Sequence, residues 1–255
     1  MSELLPSHFA PMSLGSALLV IVALIAAYMV FTLAGFGTAL FASAPLAAVM
    51  PVAKVVPLLA LLDCTVSVMR GWRARHLVDV AELKGLLPGM LLGQLVGVVL
   101  LAQISASIMA IFLGTFVMIQ GGRGLLSKSS VKLVTEQRGT AFRHGMLGGL
   151  LGGLFGSGGF VYAAYLERRL ESREAFRATQ ATLIALSTAW RVGLCIVAGL
   201  IDWQLVITAL MLLPALVVGI ALGKRVDLHL TRQQLFMLLN GLLVLSGLSL
   251  ILRWI

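Results

Sequence analysis

Residues 145–166 read GMLGGLLGGLFGSGGFVYAAYL, an uncharged run of 22 residues broken at its centre by Gly156, Ser157, Gly158 and Gly159. A helix needs about 20 apolar residues to cross the hydrocarbon core once. The run can therefore cross once, or enter and return through the glycine break. The choice decides on which side of the membrane everything downstream lies, and the basic residues favour the return. With a return, loops on one face collect Arg70, Arg73, Arg75 and Lys84; Arg123, Lys128, Lys132, Arg138 and Arg143; Arg168, Arg169, Arg173 and Arg177; and Lys224, Arg225 and Arg232, which is 16 of the 19 basic residues. Only Lys54 and Arg253 fall on the other face, and Arg191 falls within a span. A single crossing would carry the last two clusters outside, against the tendency of basic loops to stay in the cytoplasm.

The first half holds the same pattern. Gly35, Phe36, Gly37 and Thr38 interrupt the uncharged run 9–53, and Lys54 and Asp79 find counterparts at Arg177 and Asp202, both at a shift of 123. Further on the shift becomes 126 and pairs Pro88 with Pro214, Gly93 with Gly219, Gly97 with Gly223, Ser105 with Thr231 and Gly121 with Gly247. The third segment of the first half then runs from outside to inside and its counterpart from inside to outside. The expected fold is an all-α polytopic membrane protein of two inverted-topology repeats. Each repeat has a glycine-broken helix pair, discontinuous or re-entrant, followed by three transmembrane helices.

The first repeat is expected over 14–126, with segments at about 14–34, 38–53, 55–70, 80–102 and 105–122. A basic cytoplasmic connector covers 127–142. The second repeat covers 143–253, with segments at about 143–155, 159–167, 178–200, 203–223 and 231–253. Ser105 and Thr231 suit the N-cap of the helix that follows each. His144 and His229 fall in loops of this scheme, and 167–174 reads as a charged cytoplasmic connector. Both termini fall on the outer face.

Composition agrees with burial in lipid. Of 255 residues 60% are hydrophobic and 11% charged, against about 25% charged in a typical soluble chain. The formal charge of +9 needs no nucleic acid, because its clustering on one face follows from insertion bias and attraction to anionic headgroups. Ala42, Ser43 and Ala44 resemble a signal cleavage site, but no Lys or Arg precedes them and the apolar run is too long for a signal peptide. The segment is expected to be retained. Cys64 and Cys195 lie inside spans without metal-ligand spacing and read as small apolar residues.

Inverted repeats with interrupted helices place substrate near the midplane in secondary transporters. A break leaves unpaired N–H groups with partial positive charge at the start of the next half-helix, and such backbone must be buried in protein or face a cavity. Glycine lets an anion approach closely, and Thr38 and Ser157 add hydroxyl donors. The expected substrate-binding residues are Gly35, Phe36, Gly37, Thr38, Gly156, Ser157, Gly158, Gly159 and Arg191, and the ligand they suit is a small oxyanion. Gly148, Gly149, Gly152, Gly153, Gly93 and Gly97 are read as helix-packing positions.

Arg191 stands well inside 178–200, where a charge costs at least roughly 2.5 kcal/mol. Asp63 occupies the corresponding segment of the first half, so an ion pair across the repeats is expected. Asp63 also reads as a protonatable coupling group. Lys54 and Arg177 head matching helices on opposite faces, where they can attract an anion at either mouth or simply anchor the interface.

These residues carry a family resemblance. The chain resembles the sulfite exporter TauE/SafE family over essentially 30–253. The likeness rests on Gly35-Phe36-Gly37 followed by Pro45, on VVPLLALLD at 55–63, on LPGMLLG at 87–93, on GGLLGGLFGSGG at 148–159, and on Ala175-Phe176-Arg177-Ala178-Thr179. It departs from a strict repeat in lacking any proline between Pro88 and Pro214. The resemblance implies a bacterial inner-membrane permease for small anions such as sulfite or organosulfonates, with export the expected direction. No cofactor or metal is expected, and self-association is left open.

A passive anion channel would share the chemistry at the break. An intramembrane enzyme would need a nucleophile–base or metal-ligand set, and the spans offer no paired histidines, no Gly-x-Ser-x-Gly and no Walker loop. A sensor or assembly protein would typically bring a soluble domain, and the longest connecting region is only about 122–144.

Overall fold

The computed structural model describes residues 14–34, 38–47, 49–126 and 138–225, together with the single helical positions Gly241, Val244, Leu248 and Leu252. Gly35, Phe36 and Gly37, Ser129, the expected segment 231–253 apart from those four positions, and most of the connector 127–142 lie outside the described residues. Within them the chain forms α1 (Leu14–Ala34), α2 (Thr38–Ala47), α3 (Val52–Ala74), a 3-10 turn (Arg75–Leu77), α4 (Val80–Gln103), α5 (Ala106–Leu126), α6 (Arg138–Phe155), α7 (Gly159–Arg169), α8 (Arg173–Val197) and α9 (Trp203–Arg225). The segments Ala53–Trp72, Val80–Gln103, Arg173–Val197 and Trp203–Arg225 are long and apolar enough to cross a membrane. Leu92, Val96, Leu210 and Val217, among many others, leave apolar side chains exposed on their outer faces. Such a surface is stable in lipid rather than water.

Helix ends have identifiable causes. The Asp79 side chain accepts from the Ala81 and Glu82 N–H groups at 3.0 Å and starts α4. Asp202 accepts from the Leu205 N–H at 2.8 Å and starts α9, and Ser172 accepts from the Ala175 N–H at the start of α8. Gly156 ends α6 at φ +71° and Gly199 ends α8 at φ +67°, both in the left-handed region open to glycine. Three details differ from the sequence expectation. First, α2 stops at Ala47, because the chain turns through Val49 and Met50 before Pro51 heads α3. Second, α6 begins at Arg138, inside the expected connector, so His144 is helical and bonds back to the Thr140 carbonyl. Third, α7 runs on to Arg169 and α8 begins at Arg173. The charged stretch 167–174 is therefore mostly helix, broken only around Leu170 to Ser172. Pro88 and Pro214 lie inside α4 and α9, within the expected segments 80–102 and 203–223.

Helix directions follow from the contacts. Gly219 and Gly223 of α9 press on Ile25 and Met29 of α1, and Tyr28 of α1 reaches Asp63 of α3 while Phe31 meets Arg70. So α1, α3 and α9 run the same way. Gly89, Gly93 and Gly97 of α4 pack against the Phe142, Met146 and Leu150 carbonyls of α6, so these two run together. α8 opposes α3, with Asp63 facing Arg191 and Gly71 facing Thr182 and Ala185. The hairpin α6–α7 returns on itself: Tyr162 of α7 lies on Gly148, and Tyr165 stacks near His144 of the second turn of α6 at 5.1 Å between ring centroids. The end of α7 is then fastened to the start of α4, where Glu82 accepts from Tyr165 Oη at 2.8 Å and from Arg169 Nε at 2.8 Å.

The α4–α6 seam is a double glycine stripe. A Cβ on Gly89, Gly93, Gly145 or Gly149 would overlap a backbone carbonyl of the facing helix. Small residues four apart let membrane helices approach backbone to backbone. Gly149 and Gly153 sit in this packing, Gly148 packs under Tyr162 of α7, and Gly152 also faces a cavity.

Candidate functional site

The seam between α3 and α8 brings together the two ionisable residues expected inside spans. Asp63 and Arg191 are 4% and 2% exposed, and Arg191 Nη2 lies 3.9 Å from Asp63 Oδ2. Each carboxylate oxygen accepts a hydrogen bond from the first half of the chain: Tyr28 Oη donates to Oδ1 at 2.9 Å and Thr38 Oγ1 donates to Oδ2 at 2.8 Å. The guanidinium is less well provided. Its Nη1 donates to the Gly152 carbonyl at 2.8 Å, and its Nε has no partner.

Both groups line a small, partly open cavity of about 30 Å³. Its wall is completed by Phe31 and Thr38, by Gly156, Ser157, Gly158 and Gly159 at the α6–α7 break, by Tyr162, and by Ser187 and Thr188 of α8. At the start of α7 the Val161 and Tyr162 N–H groups donate back to the Gly158 carbonyl, which leaves those of Gly159 and Phe160 as the unsatisfied donors of this helix end, where Gly156 brings its backbone beside Arg191 Nη1. The Ser157 hydroxyl is buried and without a partner. A guanidinium, a buried hydroxyl and a helix N-terminus thus converge on one space. Such donors suit a small oxyanion.

Of the residues expected from the sequence, Thr38, Asp63, Gly156, Ser157, Gly158, Gly159 and Arg191 meet at this cavity. Lys54 and Arg177 do not. Lys54 Nζ is bonded to Asp202 Oδ2 at 2.7 Å and reaches the Leu200 carbonyl, tying the start of α3 to the start of α9. Arg177 is exposed in the second turn of α8. Gly158 has a double position: it lines the cavity, and a Cβ there would overlap the Gly148 carbonyl.

Sequence reasoning did not single out Tyr28, Gln94, Tyr162, Ser187 or Thr188. Gln94 is fully buried and donates through Nε2 to Ser187 Oγ at 2.6 Å, leaving its own Oε1 without a partner. The Tyr162 hydroxyl lies beside Ser187 but falls short of hydrogen-bond geometry. A signal for the α8 residues was present, since Gln180, Ser187, Thr188 and Arg191 recur at helical spacing in an otherwise apolar stretch. Tyr28 carried none, because a lone aromatic in an apolar run reads as core.

The family model for sulfite exporter TauE/SafE matches residues 19–250. The chain belongs to the sulfite exporter TauE/SafE family. Neither the curated proteins nor the solved structures yield a match. Members of the TauE/SafE family are membrane transporters and not enzymes. The family name carries sulfite export with it. Among the described residues no group of three His, Cys, Asp or Glu is placed to hold a metal ion, and Cys64 and Cys195 are free thiols.

Proposed function

We propose that this protein is a secondary transporter, working as an exporter, that binds small oxyanions such as sulfite or organosulfonates in the cavity around Arg191 and the start of α7. The carrying observation is the convergence there of an unpartnered Arg191 Nε, an unpartnered Ser157 Oγ and the start of α7, which has no side-chain cap. Gly35, Phe36 and Gly37 precede Thr38 in sequence and are assigned to the same site from the other half. An anion entering this space competes with Asp63 for Arg191. Protonation of Asp63 would release the guanidinium, which makes Asp63 the coupling group of the cycle.

Two inverted repeats are the architecture we assign. In support, α1 packs on α9 while α6 packs on α4, and the central contact joins α3 to α8. These are the exchanges that two intertwined copies would make. Asp79 and Asp202, equivalent in the sequence repeat, cap α4 and α9, and the α6–α7 hairpin opens toward the face where α4 begins. Rocking of one repeat against the other would expose the site alternately. We assign the face bearing the ends of α3 and α7 to the cytoplasm of a bacterial inner membrane, with both termini outside. Lys54 and Arg177 then stand at opposite mouths, where their charge raises the local anion concentration.

The test is sulfite flux into proteoliposomes of the purified protein. Saturable flux accelerated by sulfite on the far side supports a carrier. Flux that rises linearly with concentration and lacks such exchange would make it a channel, and absence of flux for sulfite and a panel of sulfonates would reject the reading.

A further inference from the structure

Phe31 stands in the cavity wall on the side of the face on which α3 ends. α1 and α3 run side by side toward that face, so Phe31, three residues past Tyr28, stands about 4.5 Å nearer to it than the Tyr28–Asp63 contact. Phe31 lines the cavity and is 3% exposed. On its other side is Arg70, whose Nη1 donates to the Phe31 carbonyl at 3.2 Å and whose guanidinium carbon stands 5.0 Å from the ring centroid. A guanidinium over an aromatic face is attracted by the ring quadrupole.

No carboxylate lies within ion-pair distance of Arg70 or of Arg177 among the described residues. Arg70 near the end of α3 and Arg177 near the start of α8 lie toward the same face of these two packed helices, and two cations there favour an anion between or beside them. The seam leading inward carries buried polar atoms without partners, Ser67 Oγ on α3 and Gln180 Nε2 and Thr182 Oγ1 on α8. Ser67 is one helical turn from Asp63 on the Arg70 side. These donors mark a route between the mouth and the cavity along α3 and α8.

We propose that Phe31 and Arg70 form the gate of the cavity toward the face on which α3 ends, the ring closing the passage and the guanidinium holding the ring until an oxyanion at Arg70 and Arg177 competes for its N–H groups. The trigger rests on the anion-transport reading above, while the barrier does not. Arg70 is here a positioning residue that acts through Phe31.

The experiment measures modification of Thr188→Cys by a membrane-impermeant thiol reagent, in a Cys64→Ser, Cys195→Ser background, with the protein oriented in vesicles and the reagent applied to one face at a time. Phe31→Ala and Arg70→Gln should each raise the rate from the Arg70 face by roughly tenfold, in proportion to the loss of the stacked, charge-assisted contact, and leave the rate from the opposite face unchanged. Phe31→Leu, which keeps the bulk, should stay near the parent rate. Unchanged rates in both Phe31→Ala and Arg70→Gln, or equal increases from both faces, would overturn the gate. A separate arm adds methanesulfonate, an oxyanion that does not consume the thiol reagent, at the Arg70 face of the parent protein and expects faster modification that Arg70→Gln abolishes. Absence of that effect would overturn the anion trigger alone, so the two parts fail separately.

Discussion

Arg191 Nη2 lies 3.9 Å from Asp63 Oδ2, at the outer limit of an ion pair, while the same carboxylate receives two shorter hydrogen bonds from Tyr28 and Thr38. Asp63 is thus held chiefly by α1 and α2, and Arg191 by the Gly152 carbonyl. The two groups neutralise each other without being locked together, an arrangement a third, mobile charge can divide.

Stability should report the pair as a pair. Arg191→Gln leaves Asp63 buried without its counter-charge and should cost roughly 3–5 kcal/mol, as should Asp63→Asn, whereas the double variant should recover most of that loss. Thermal unfolding in detergent checks it. Additive losses in the double variant would mean that the two charges do not interact.

The glycine stripe predicts a contrast between two glycine-to-alanine changes. Gly149→Ala would drive a methyl into the Met90 carbonyl of α4, so α4 and α6 must separate and the melting temperature should fall sharply, by the equivalent of about 2–3 kcal/mol. Gly193→Ala, with nothing within 4 Å of the added Cβ, should be neutral or stabilising by up to about 1 kcal/mol through helix propensity. For the same reason Gly158 is a poor probe of binding, since any side chain there collides with α6.

Lys54 and Asp202 should differ in worth although they form one ion pair. The pair is partly exposed, with side chains 25% and 46% accessible, so Lys54→Ala should cost no more than about 1 kcal/mol. Asp202→Ala also removes the N-cap of α9 and should cost about 1 kcal/mol more. Equal effects on thermal unfolding would contradict the capping role.

Topology can be tested at the end of the returning hairpin. Glu171→Cys, in the short link between α7 and α8, should react with an impermeant reagent only from the cytoplasmic side, and Trp203→Cys, at the start of α9, only from the outside. Labelling of Glu171→Cys from outside would mean that 145–166 crosses once.

Much of this was legible in the sequence because glycine and charge punctuate it. The run 145–166 showed its own break, and α7 begins at Gly159 where the glycines end. Asp79 and Asp202 marked the starts of α4 and α9 within a residue. Boundaries slipped where polar residues are helical, as at Arg143 and His144, since a charged helix turn and a charged loop read alike without knowledge of packing. The Asp63–Arg191 pair was legible because charges are rare in spans. The Glu82 contacts with Tyr165 and Arg169 were not, because they depend on how the end of α7 docks against α4, which no local pattern encodes.

Sulfite flux by the Asp63→Asn, Arg191→Gln double variant in proteoliposomes tests the central claim most directly. If Arg191 serves the anion, the double variant folds yet loses flux roughly 10- to 100-fold, the worth of one or two charge-assisted hydrogen bonds. Normal flux in a folded double variant would contradict the account and leave the pair a structural one.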